Sequence, residues 1–352
     1  MRRRLERNGV FDQMNIIVDA FGGDHAPQAV IQGAAMAVQQ LGVEITLVGD
    51  EQIIRKTAEE QGTSLEQIRI LHTDEVFEMH EEPTSILKAH KNCSMAVGLR
   101  ALRDDQGDAF VSAGSTGALV VGATFLAKRS PGIKRAALAP LLPTAKGVSM
   151  LIDCGANADC RPEMLVQFAL MGSAYMKNVM GVENPAVGLV NIGSEDTKGR
   201  ELEIETYHRL QEAPVNFRGN LEAREIPGGE YDVIVTDGFT GNVILKLYEG
   251  MGSFFAHKLK DVFSGVSGKL SAALVLPRIK AFKKQMDYSE VGGAVLMGIA
   301  KPVIKAHGSS DARAFYNAIR QAKACVDEKM IVTLTASVAA LQAMEEKKIE
   351  RA

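Results

Sequence analysis

Asn15-Ile16-Ile17-Val18-Asp19-Ala20 runs directly into Phe21-Gly22-Gly23-Asp24-His25-Ala26-Pro27 and then into Gln28–Gln40, QAVIQGAAMAVQQ. The first run is apolar and β-branched with little alternation, as a strand covered on both faces requires. The last run spaces its apolar residues as a helix does. Between them lies a turn of glycines, a carboxylate and an imidazole. Strand, polar glycine loop and helix, in that order, open a doubly wound α/β sheet.

The same order recurs downstream. Glu44–Gly49 (EITLVG), Asp108–Ser112 (DAFVS), Val148–Asp153 (VSMLID), Ala186–Asn191 (AVGLVN) and Tyr231–Thr236 (YDVIVT) read as further strands. Gln52–Glu60, Met95–Arg103, Pro162–Met180 and Glu195–Glu212 read as helices. The expected fold is α/β, a three-layer α/β/α sandwich around one mostly parallel sheet. No Pro/Ser/Gly-rich linker and no fixed-period repeat divides it, so residues 14–349 are expected to form a single domain. Residues 1–13 carry Arg2, Arg3 and Arg4 with no apolar stretch behind them, and read as a disordered extension rather than a signal peptide. Gly238 to Met286 is helical in composition but interrupted by Gly265, Gly268 and Pro277, which predicts a helical arm that leaves the sandwich and returns.

Bulk properties narrow the classes. The 352 residues are 46% hydrophobic and 24% charged, enough to bury a sizeable core. A net charge of −3 gives no basic field for nucleic acid. Four scattered cysteines (Cys93, Cys154, Cys160 and Cys325) lack metal spacing and suit a reducing cytosol. The long uncharged run between Asp108 and Lys128 contains Ser112, Gly114, Ser115, Thr116, Gly117 and Thr124, which makes it a poor membrane helix.

In an open parallel sheet, ligands bind beyond the carboxyl ends of the strands. This chain places its polar glycine loops there: Phe21–Pro27, Ser112–Gly117, Asn191–Gly199, Thr236–Asn242 and, before a later helix, His307–Ser310. Glycine lets backbone approach a ligand, and hydroxyls and free N–H groups supply donors. One such loop is more often a capping turn than a site. Five of one chemical type, brought to one edge, predict an anion site, with phosphate the natural occupant. Neither GxxxxGK[ST] nor an intact GxGxxG is present, which argues against a nucleotide. Cys154 reads as a small buried residue sooner than as a nucleophile. Asp24 and His25 are candidates for acid–base work. Lys198 is the best-placed cation for gathering negative charge, ahead of Arg129 and Arg135.

The set DAFGGDHAP (Asp19–Pro27), VSAGSTGA (Val111–Ala118), VGLVNIGSEDTKG (Val187–Gly199), DVIVTDGFTGNVILK (Asp232–Lys246) and AHGSS (Ala306–Ser310) resembles the PlsX family, the bacterial acyl-ACP:phosphate acyltransferases of phospholipid synthesis. The similarity runs in order from about Met14 to near the C-terminus, with Phe21 standing where a methionine is expected. The resemblance implies a sandwich related to isopropylmalate dehydrogenases and phosphotransacetylases, a homodimer, and no metal or organic cofactor. It implies a cytoplasmic enzyme held peripherally at the inner face of the cell membrane. Its partners would be acyl carrier protein, inorganic phosphate and a membrane-bound glycerol-3-phosphate acyltransferase. On the matching loops it implies Lys198, Asp24, His25 and Asn242 as catalytic residues. The acceptor would be bound by Gly22, Gly23, Ser112, Gly114, Ser115, Thr116, Gly117, Asn191, Gly193, Ser194, Asp237, Gly238, Gly241, His307, Gly308 and Ser309.

Two further features concern assembly. Val243, Ile244, Leu247, Tyr248, Met251, Phe254 and Phe255 recur at helical spacing, a stripe expected to pack partly on a two-fold mate. Between Asp261 and Asp287 no acidic residue occurs, while Lys280 and Lys283 interleave with Leu270, Leu274, Leu276 and Ile279, the pattern of a membrane-surface segment. Two other classes compete: an NAD-dependent decarboxylating hydroxy-acid dehydrogenase of similar architecture, which would want carboxylates such as Asp153 and Asp237 around a metal, and a non-catalytic phosphate-binding membrane scaffold.

Overall fold

A computed structural model of the chain describes residues 13–263 and 292–349. Asn15–Asp19 (β1) is buried at every position. Glu44–Gly49 (β2) and Ala109–Ser112 (β4) pair with it in parallel, one on each side. Ile68–His72 (β3) extends the sheet past β2. On the other flank Val303–Lys305 (β12) lies parallel to β4, Ala294–Met297 (β11) antiparallel to β12, and Ala137–Ala139 (β5) at the edge. The order in this seven-stranded sheet is β3-β2-β1-β4-β12-β11-β5.

The single expected sheet is in fact two. A second, of five strands, is formed by Leu141–Thr144 (β6), Gly147–Ile152 (β7), Ala186–Asn191 (β8), Asn216–Glu222 (β9) and Val233–Val235 (β10), in the order β6-β7-β10-β8-β9. Only β6 runs antiparallel there. The chain crosses between sheets at Pro140, a residue with no N–H to continue a ladder. The two sheets nevertheless share one apolar cluster, which holds Val111 and Val295 from the first and Ile152 and Val235 from the second.

Helices cover the faces: Gln28–Leu41 (α1), Glu51–Glu60 (α2), Ser94–Arg103 (α3), Thr116–Gly122 (α4, continued by a π turn over Ala123–Lys128), Pro162–Asn178 (α5), Glu201–Glu212 (α6), Gly238–Val262 (α7), Ala312–Asp327 (α8) and Met330–Ile349 (α9). α5 is buried nearly all round, as its apolar composition on every side demands. The helix expected from Glu195 starts only at Glu201. Gly199 holds a left-handed φ of 95°, and the Glu203 carboxylate accepts the Arg200 backbone N–H to cap the first turn. The strands absent from the sequence reading (β3, β5, β6, β9, β11 and β12) are mostly too short or too exposed to announce a period.

α7 is half-buried or exposed over most of its length. Gly238 and Gly241 are its only buried residues. The predicted continuation through Leu270, Leu274, Leu276, Ile279, Lys280 and Lys283 lies outside the described residues, as does the expected extension apart from Gln13. Among the described residues no helix is long and apolar enough to cross a membrane.

α1 and α8 touch so closely at Gly33 that a Cβ there would stand 2.6 Å from Phe315 Cβ and 2.7 Å from the Ala312 carbonyl oxygen. In an open helix, Gly to Ala stabilises by about 1 kcal/mol. Here the added methyl is expected to cost about 1–3 kcal/mol by overpacking. Gly33→Ala should therefore lower the urea midpoint, and an unchanged or raised midpoint would contradict this packing.

Candidate functional site

β1, β4 and β12 are neighbours and finish level. Val18 pairs with Val111, so Asp19 stands beside Ser112, and Ser112 in turn pairs with Lys305. These three side chains form the last row of the sheet at its carboxyl edge. The row lies at the topological switch point, because β1 is flanked by β2 on one side and β4 on the other.

Each member of the row is buried. The Asp19 carboxylate accepts the Ser94 hydroxyl at 2.6 Å, the Ser112 hydroxyl at 2.7 Å and the Phe21 backbone N–H at 3.3 Å. Burial pushes its pKa up, while these donors and the Lys305 charge pull it back. Ser112 Oγ also accepts the Gly114 N–H at 3.0 Å, which ties the β4 loop to the same carboxylate. Gly22 rests on this network. A Cβ there would sit 2.6 Å from Gly114 N and 2.8 Å from Asp19 Oδ2, so only glycine fits. Lys305 Nζ donates to the Ala113 carbonyl at 3.2 Å and to the Ala306 carbonyl. Burial lowers its pKa from the ordinary value to about 8, with Lys246 adding to the effect and Asp19 and Asp24 opposing it.

A cleft of about 800 Å³ opens on this row. Its polar end carries Thr116, Gly117, Asn242, Lys305 and His307. Its walls are mostly apolar, with Leu138, Leu141 and Leu142 and, from α7, Tyr248, Phe255 and Leu259, though α7 also presents Lys246, Glu249 and Ser253. The Tyr248 hydroxyl donates to the Pro143 carbonyl and fixes the helix against β6.

The expected site residues divide into three groups. Thr116, Gly117, His307 and Asn242 line the cleft. Gly22, Gly23, Ser112, Gly114, Ser115, Gly308 and Ser309 surround its polar end or support it: the Gly308 carbonyl accepts the Asp24 N–H at 2.8 Å, and Ser309 contacts His307 Nδ1. Asp24 and His25 are exposed on their loop and do not line the cleft.

The third group belongs to the second sheet. The Asp237 carboxylate caps α7 by accepting the Thr240 N–H at 2.8 Å, and it pairs with Arg200 at 2.8 Å. Gly238 and Gly241 let the α7 start pack on the Asp153–Asn157 turn, where any Cβ would meet backbone. Asn191 shapes its own loop, donating to the Lys198 carbonyl at 2.9 Å. Gly193 lies against Glu195 and Lys198, while Ser194 and Lys198 are exposed. No residue from Asn191 to Lys198 lines the cleft.

Sequence reasoning missed Asp19 and Lys305. The available signal was a lysine closing the apolar run Val303-Ile304, directly before the glycine loop it serves. Cys154 lines the cleft but is buried, and burial raises its thiol pKa well above the ordinary range, which leaves little thiolate to act as a nucleophile. Asp153 takes backbone N–H groups from Leu138, Ala156 and Asn157, and the Asn157 amide as well. With Asp237 held by Arg200 and Thr240, the two carboxylates that a metal-dependent dehydrogenase would use are already engaged by their own chain.

Residues 14–333 match the family model described as fatty acid synthesis protein. A phosphate acyltransferase of Oceanobacillus iheyensis is 48% identical over 95% of this chain and 100% of its own length. One from Alkaliphilus oremlandii is 45% identical over 93% and 98%. Among solved structures, a phosphotransacetylase from Streptococcus pyogenes superposes with a TM-score of 0.60 at 16% identity, covering 93% of this chain and 94% of that one. A 4-hydroxythreonine-4-phosphate dehydrogenase from Klebsiella pneumoniae gives 0.52 at 13%, over 89% and 99%. At such identities the last two likenesses concern the fold alone.

Proposed function

Because the chain belongs to the phosphate acyltransferase family, an acyltransferase family of fatty acid synthesis, we propose that its donor is a fatty acyl thioester of acyl carrier protein and its product an acyl phosphate for phospholipid synthesis. One observation carries the reading. A single cleft joins a buried polar row to walls of leucine and aromatic side chains, which suits a reacting head group with a long hydrocarbon tail.

The chemistry asks little of a base. An oxygen of hydrogenphosphate attacks the thioester carbon, the C–O bond forms, the C–S bond breaks, and the phosphate's proton ends on the departing thiolate. Holding both reactants in near-attack geometry supplies roughly 7–11 kcal/mol of the barrier. Each N–H aimed at the developing oxyanion is worth about 3–4 kcal/mol. Thr116, Gly117 and Asn242 stand at the right end of the cleft for that task. Lys198 keeps a proposed role in gathering negative charge from its exposed loop, without lining the cleft itself.

Assembly follows from α7. Ile244 and Tyr248 pack on their own chain's cluster, so the stripe read from sequence splits. Phe239, Val243, Leu247, Met251 and Phe254 are left exposed on the helix. Such an apolar row suits a two-fold mate, and a homodimer at the inner face of the membrane, near a glycerol-3-phosphate acyltransferase, completes the reading.

Purified protein given palmitoyl-carrier protein and inorganic phosphate should yield acyl phosphate, trapped as hydroxamate by hydroxylamine. Thioester loss that does not depend on phosphate would refute the transferase reading. Lys198→Ala should cut turnover at least about tenfold while leaving far-UV circular dichroism unchanged, since an exposed loop side chain carries little packing. Wild-type phosphate kinetics in that variant would remove Lys198 from the site. Light scattering at micromolar concentration should return twice the chain mass, and flotation with anionic vesicles should recover the protein; a monomer that stays in the lower fraction contradicts the assembly.

A further inference from the structure

Lysine is among the residues least often buried, because an ammonium loses its hydration unless other groups replace it. Lys305 is 9% exposed. Two of its three N–H donors are met by the Ala113 and Ala306 carbonyls. Among the described residues no acceptor stands against the third, and the side chain lines the polar end of the cleft. The other cations near the cleft are placed differently. Lys246 also lines the cleft but is exposed and already paired with Glu249 at 2.8 Å, and Lys198 is not among the lining residues.

The setting of Lys305 is that of an anion receiver. It ends β12 beside Ser112 of β4, in the row that Asp19 completes, and its burial there limits where the stem can swing. Thr116 and Asn242 line the same end and offer a hydroxyl and an amide. We propose that the Lys305 ammonium is the cation that receives the acceptor phosphate, its third N–H donating to a phosphate oxygen at the polar end of the cleft. This rests on the reading that the chain transfers acyl groups to phosphate. It makes Lys305 a catalytic residue, because the group it holds is the attacking one.

The charge on Lys305 is sensitive to its surroundings. Asp19 from β1 and Asp24 from the following loop favour the ammonium, Lys246 from α7 opposes it, and His307 adjoins it on its own segment. Burial dominates and brings the pKa down to about 8. The lysine is therefore charged below that pH and loses its proton above it, so phosphate affinity falls as pH rises.

The test uses the full chain and inorganic phosphate alone, with no acyl donor, and reads the dissociation constant from the thermal shift between pH 7.5 and 9.5. For wild type the constant should rise about tenfold per pH unit once the pH exceeds the lysine pKa. Lys305→Arg keeps its charge over this range, so its binding should stay flat with pH. Lys305→Met should bind phosphate at least about tenfold more weakly at pH 7.5 with no pH dependence, and in turnover should raise KM for phosphate more than KM for the acyl donor. Wild-type affinity that is flat from pH 7.5 to 9.5 would overturn the proposal, and this arm needs no variant to fold. Unchanged phosphate binding in Lys305→Met would overturn it equally. Lysine-dependent phosphate binding without acyl phosphate formation would uphold this site while removing the reaction, and turnover with unaltered phosphate dependence in Lys305→Met would do the reverse.

Discussion

A carboxylate buried at the end of a central strand must be answered by donors, and Asp19 dictates what its neighbours are. Ser94 reaches it from α3, Ser112 from β4 and the Phe21 N–H from its own loop. Removing one hydroxyl from such a buried network leaves the carboxylate short of a donor and costs about 1–3 kcal/mol. The network therefore locks three loops in position at once. Gly22 must be glycine because it lies on Asp19 and Gly114, and Gly114 is held because its N–H bonds Ser112. The polar end of the cleft is thus the outer surface of a buried electrostatic arrangement, which explains why it is preformed.

The opposite wall is built on another principle. α7 is secured in its first turn, by the Asp237 cap, the Arg200 pair and the close packing of Gly238 and Gly241 on the Asp153 turn. Past that turn its side chains are half-buried or exposed, with Tyr248 bonding Pro143 to hold the midpoint. A buried row thus faces a wall secured at its first turn and again at its midpoint. In the proposed reaction the first would meet the reacting atoms and the second would accommodate the hydrocarbon tail.

The sequence disclosed some of this and hid the rest for physical reasons. β1, β2, β7 and β8 were legible because buried parallel strands leave continuous apolar runs. The glycine loops were legible because turns and close backbone approach restrict composition. β12 spans only Val303–Lys305, too short for any period, so nothing in the pattern singled out its lysine. The split into two sheets turns on Pro140, one residue between two three- and four-residue strands. Asp237 looked like a ligand because a helix cap and an anion site use the same residue types, and hydrogen-bond geometry alone separates them. Lys198 was found by its loop, but which sheet carries that loop depends on strand order, which pattern does not encode.

The strand order also governs the sequence of events during synthesis. β12 pairs with β4 across about 190 residues of intervening chain, all of which must leave the ribosome first. Until then β4 presents a bare edge of unpaired N–H and C=O groups, an invitation to wrong partners, and the long closure makes the first sheet slow to complete. Because the closing strand is also the one that brings Lys305, a chain that stops short of it has the β1 and β4 loops without this lysine. The row at the sheet edge is therefore finished only when β12 arrives, late in the chain.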